Sequence, residues 1–170
     1  TLDFGFAPDS NISNGSTSDT VDVNFGGLQI PLTLDATARA KSGLGQTAGV
    51  SAGVRLGLND STKMLLDVDT QAINYAGKDY DDFTVQFAAG PELALNDETR
   101  VSFQALGSQR WYGGKTANRA FGGRATLQYE LAEGQRVGVS LDARHNDSGF
   151  SKGYDGWQMG AYATYERVIN

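Results

Sequence analysis

Phe83-Thr84-Val85-Gln86-Phe87-Ala88-Ala89-Gly90-Pro91-Glu92-Leu93-Ala94-Leu95, then Asn96-Asp97-Glu98, then Thr99-Arg100-Val101-Ser102-Phe103-Gln104-Ala105-Leu106-Gly107-Ser108-Gln109-Arg110-Trp111, is the stretch that decides the fold. Apolar side chains fall on alternate residues on both sides of a short polar turn. That is the period of a β-hairpin, not of a helix. Each arm exceeds the roughly 5–6 residues usual for a globular strand. Each is long enough for a tilted strand to cross a bilayer, which takes about 9–11 residues.

The same rhythm extends outward. It predicts an all-β, antiparallel up-and-down meander with strands at 1–7, 43–58, 62–75, 82–95, 99–112, 120–131, 136–146 and 156–168. Three connections are tight, at 59–61, 96–98 and 132–135; the others, 8–42, 76–81, 113–119 and 147–155, are longer. Short turns on one rim and long loops on the other are the pattern of outer-membrane barrels. The tight turns also repeat. Leu56-Gly57-Leu58-Asn59-Asp60-Ser61-Thr62 matches Leu93-Ala94-Leu95-Asn96-Asp97-Glu98-Thr99, and the turn after Tyr129 is a looser copy. Within the loop 8–42, Thr20–Phe25, Gly26-Gly27 and Leu28–Leu34 read as a hairpin.

Sorting strands two to eight by parity separates the chemistry. One face, about forty positions including Val68, Phe87, Phe103, Leu127, Leu141 and Ala161, carries no Asp, Glu, Lys or Arg. The other face carries Arg55, Asp67, Asp69, Glu92, Arg110, Arg124, Asp142 and Arg144 among Gly, Ser and Gln. An Arg or Lys on a lipid-facing wall costs about 2–4 kcal/mol at mid-bilayer, and far less in a watered or paired lumen. The expected arrangement is lipid outside and a lumen charge network inside. Aromatic residues near both strand ends fit two interfacial girdles: Phe83, Trp111, Phe121 and Trp157 toward the long loops, Tyr129 and Tyr165 toward the short turns. A soluble barrel would bury the apolar face instead.

Composition narrows the function. The chain has 170 residues, 39% hydrophobic, 22 Gly and only 3 Pro, with net charge −6. No basic run exists to meet nucleic acid. With no Cys and one His, no thiolate metal site and no cofactor is expected. No apolar run approaches the roughly 18 residues of a membrane helix. His145 lies on the apolar parity and reads as an interfacial histidine; a hydrolytic pair with Ser148 would need both on one strand face. Asp79, Asp81 and Asp82 read as a solvated acidic loop, lacking the spacing of a calcium loop.

Three runs carry a family resemblance: Ala7-Pro8-Asp9-Ser10-Asn11-Ile12, Asp35-Ala36-Thr37-Ala38-Arg39-Ala40-Lys41-Ser42-Gly43, and Ser108-Gln109-Arg110-Trp111-Tyr112-Gly113-Gly114. Together they resemble the C-terminal outer-membrane barrel of the surface lipoprotein assembly modifier (Slam) family, in its first part. The resemblance implies help in delivering surface lipoproteins, metal- and haem-scavenging ones included, across the outer membrane, with no bond-making chemistry. It implies outer-membrane lipid and a lipoprotein client as partners, and leaves the oligomeric state open. Members of that family join a periplasmic helical-repeat domain to a barrel of about fourteen strands, inside the even-numbered range of such barrels. This chain shows about eight strands, no helical domain, and no terminal aromatic at Arg167-Val168-Ile169-Asn170. It is expected to be a single barrel domain over 1–170 or a barrel fragment. A passive porin-like or structural barrel, and less so a soluble ligand-binding barrel, are the alternatives.

Overall fold

The computed structural model describes residues 1–168; Ile169 and Asn170, part of the C-terminal run above, lie outside it. Ten strands form among the described residues: β1 (Leu2–Asp9), β2 (Thr20–Phe25), β3 (Leu28–Thr33), β4 (Gly43–Gly57), β5 (Thr62–Asn74), β6 (Asp82–Ala94), β7 (Thr99–Tyr112), β8 (Lys115–Ala132), β9 (Gln135–Ser148) and β10 (Gly156–Arg167). Eight make one antiparallel sheet in the order β1-β4-β5-β6-β7-β8-β9-β10, and β2-β3 pair separately. The expected meander is therefore present, with the expected hairpin in its long loop. Among the described residues β1 and β10 are the two edges of the sheet and do not pair with each other, so the sheet is open and compatible with part of a barrel. Among the described residues no helix is long and apolar enough to cross a membrane, which bears only on helices.

The repeated turns fold alike because their asparagines do the same work. Asn59 Oδ1 accepts the Ser61 N–H at 3.0 Å, and Asn96 Oδ1 accepts the Glu98 N–H at 3.0 Å. An asparagine that bonds backbone two residues on closes a turn without help from elsewhere.

One connection differs from expectation. The segment 113–119 is not a long loop. β8 starts at Lys115, and Gly113-Gly114 is a two-residue turn with φ of +57° and +73°. Both residues must take left-handed angles, which glycine does without a Cβ penalty. The polar run Lys115–Arg119 suggested a loop because both its faces are polar. A strand that continues past the apolar band needs no apolar face. The register slips between Arg110 and Trp111, as a β-bulge does where a strand must bend.

The burial pattern shows which way the sheet curls. Glu92, Ser102, Leu106 and Asp142, all on the charged parity, are at most 8% exposed. Phe87, Phe103 and Leu141 on the apolar parity are 52%, 52% and 57% exposed. A cavity of about 260 Å³ takes its lining from β4 through β10, including Arg55, Glu92, Arg124, Ser140 and Glu166. Charged-parity side chains from seven strands can share one cavity only if that face is concave. A soluble barrel has the opposite arrangement.

Candidate functional site

Some charges of the concave face are bonded, whereas Arg124 Nε and Asp142 Oδ1 are buried without a hydrogen-bond partner. Asp142 lies between two arginines: Arg124 stands directly opposite on β8, and the Arg144 Nε donates to Asp142 Oδ2 at 3.3 Å. The Asp142 side chain is 3% exposed, a depth at which a carboxylate needs its partners. Asp67 accepts from Gln104 Nε2 at 3.1 Å, and Asp69 from the Ser51 hydroxyl. Gly53 makes room for Asp67, whose Oδ1 lies 2.7 Å from where a Cβ would stand. A second cavity, of about 250 Å³, brings Asp67 and Asp69 together with Arg124 and Arg144. Arg55 and Glu92 line the first cavity.

Arg110 departs from the expected cluster. It forms a forked pair with Asp82, with Nε 2.9 Å from Oδ1. Asp82 is therefore a strand residue with a fixed partner, not a solvated loop acid. Asp81 also has a role, accepting the Tyr75 N–H at 2.9 Å. Asp81 and Asp82 are thus engaged in turn closure and in an ion pair.

The convex face is ordered too. Phe83 and Trp111 stack with centroids 5.4 Å apart. Phe121, His145 and Trp157 occupy one rung across β8, β9 and β10, with successive ring separations of 5.7 and 5.3 Å. Tyr129, Val137 and Tyr165 share a lower rung. On the same parity, charge returns only beyond these aromatics: Arg119 opposite Asp147 on one side, Arg167 on the other. Trp157 and Tyr165 are eight residues apart. At about 3.3 Å per residue that is roughly 26 Å along the strand, and about 20 Å of height at a tilt near 40°. His145 Nε2 lies 3.2 Å from Asp147 Oδ1, whereas Ser148 falls on the opposite parity, so no His–Ser pair forms.

A third feature was legible only as a motif. The three resemblance runs meet at the long-loop rim. Asn11 folds the chain by bonding Gly15 with both side-chain atoms, each at 2.9 Å. The Ser13 hydroxyl donates to the Arg39 carbonyl at 3.0 Å and accepts the Lys41 N–H at 3.0 Å. The Ile12 N–H donates to the Lys41 carbonyl at 2.8 Å. The Tyr112 hydroxyl donates to the Ile12 carbonyl at 3.1 Å. Ile12 packs at Gly43 and Tyr75 at Gly45, on the parity of the charged face. The long loop is thus rooted on the inner side of the rim. Arg39 secures the hairpin base, its Nε donating to the Leu34 carbonyl at 3.0 Å and its Nη1 3.1 Å from Asp19.

A family model described as "Surface lipoprotein assembly modifier" matches residues 1–168. No curated protein and no solved structure matches the chain. A match over all the described residues, on a chain whose three resemblance runs bond to one another at one rim, leads to one conclusion: this chain belongs to the surface lipoprotein assembly modifier family.

Proposed function

We propose that the chain forms part of the wall of an outer-membrane barrel through which a surface lipoprotein is assisted to the cell surface. One observation carries the reading. The convex face is free of charge between two aromatic rungs and bounded by Arg119, Asp147 and Arg167, while the concave face holds Arg124, Asp142 and Arg144. Hydrocarbon requires the first arrangement and a polar passage uses the second. The aromatic rungs then sit at the two interfaces, where amphipathic rings are favoured. Opposed acidic and basic side chains offer a passing polypeptide hydrogen bonds in place of water, without one sign of charge to trap it.

The test is deletion of the gene in its own host and measurement of lipoproteins at the cell surface. Loss of at least one from the surface, with its total amount in the cell unchanged, supports the reading. Unchanged display together with steady ion conductance in planar bilayers identifies a passive pore and overturns it.

A further inference from the structure

The β2–β3 hairpin stands alone. It pairs with no other strand of the sheet. Its cross-strand pairs Val21–Leu32, Val23–Ile30 and Phe25–Leu28 place six apolar side chains on one face, and all six are exposed. A lone two-stranded hairpin is marginal in water, and an apolar face of this kind marks a surface that something covers.

The backbone distinguishes the two edges. Gly26-Gly27 is a two-residue turn with positive φ at both positions, so Phe25 and Leu28 form a hydrogen-bonded pair. The Leu34 N–H donates to the Asp19 carbonyl at 2.8 Å, which continues the same phase. Thr20, Asp22 and Asn24 therefore turn their backbone groups outward on β2, as Gln29, Pro31 and Thr33 do on β3. Thr20 is occupied by the Ser18 side chain, which accepts its N–H and donates to its carbonyl. Pro31 has no N–H, and it interrupts the β3 edge at its middle, the usual way to block a strand. Asp22 and Asn24 remain as an uninterrupted edge on β2.

We propose that this β2 edge receives an extended segment of the lipoprotein client, which adds as a third strand and lays its alternate apolar side chains beside Val21 and Val23. The inference rests on the assembly reading above. Charge favours a polypeptide over a lipid surface: between Thr20 and Thr33 the only charged residue is Asp22, whereas binding to anionic headgroups draws on cations. Position favours a client. The hairpin is rooted on the inner side of the rim, where a chain leaving the lumen emerges. Strand addition supplies affinity through main-chain bonds and specificity through alternate side chains, which suits a factor that must release what it guides.

The test complements the deletion strain with Asn24→Pro, Asn24→Ala and a Val23→Ser/Ile30→Ser double variant. Each is checked for normal outer-membrane level and heat-modifiable migration. The probe is whichever lipoprotein loses surface display in the deletion strain. Asn24→Pro, which removes an outward N–H, is expected to lower display at least fivefold. Asn24→Ala, which keeps that N–H, is expected to restore it. Full restoration by Asn24→Pro overturns the edge while leaving the assembly reading intact. So does failure of the Ser double variant with success of Asn24→Pro, the pattern of a membrane contact. If deletion itself changes no lipoprotein's display, the assembly reading fails and this inference fails with it.

Discussion

The hydroxyl of Tyr112 donates to the carbonyl of Ile12 at 3.1 Å, joining two runs that lie 100 residues apart in the chain. The bond holds the long loop to the top of β7. A single neutral hydrogen bond is worth about 1 kcal/mol net, roughly fivefold in an opening equilibrium. Tyr112→Phe is expected to raise the rate of protease cleavage within residues 13–42 by about that factor, measured on the folded protein. Tyr154→Phe, at an exposed tyrosine, is expected to leave the rate unchanged.

Asp142 is the most consequential charge of the concave face. Removing one member of a fully buried pair costs about 3–5 kcal/mol, but the Arg144 side chain is 26% exposed and water answers part of its charge, which leaves about 1–3 kcal/mol. Asp142→Leu is expected to destabilise by roughly that amount in urea unfolding from lipid vesicles, followed by tryptophan fluorescence. The double variant Asp142→Leu/Arg144→Met is expected to recover a substantial part of the loss. No recovery would show that the two side chains act independently.

The convex face makes a sharper demand. Leu141→Arg places a charge midway between the aromatic rungs and is expected to cost about 2–4 kcal/mol in vesicles. Thr126→Arg, on the concave face beside Ser140, is expected to cost less than half as much. Equal costs at the two positions would contradict a hydrocarbon environment outside.

Asp35 offers a pH test outside the strands. Its carboxylate accepts the Thr37 N–H at 2.8 Å and the Thr37 hydroxyl at 2.9 Å. These bonds, the backbone one first, hold its pKa below the ordinary 3.8. A carboxyl with a depressed folded pKa contributes stability that is complete above the unfolded value and disappears as pH falls through the folded one. The expected result is a carbon-13 titration midpoint for Asp35 below 3.8, with Thr37→Val moving it part of the way back. A midpoint at or above 3.8 in the unmodified protein would contradict the two bonds from Thr37.

Much of the fold was legible because its signals are local. Val85, Phe87 and Ala89 alternate with Thr84, Gln86 and Ala88 within a single strand, and Asn59 and Asn96 close their turns with their own side chains. Parity gives the face that a charge occupies but not its partner. Arg124 and Asp142 were expected in one network and stand opposite each other, whereas Arg110 was grouped with them and pairs with Asp82 instead. The segment 113–119 reads as a loop because polar residues on both faces look the same in a loop and in a strand that runs past the apolar band.

The sequence by itself determined the strand period, the turn positions and the division into a charged and an uncharged face. Each follows from side chains two residues apart or from a turn's own asparagine or glycine, and needs no knowledge of neighbours. Only the tertiary structure decided which rungs align, and so where Arg119, Asp147 and Arg167 bound the apolar band. It alone showed that Ile12, Arg39 and Tyr112 tie one rim together, and that β1 and β10 stay unpaired. Those outcomes depend on the stagger between strands and on contacts tens of residues apart, and no local period encodes either one.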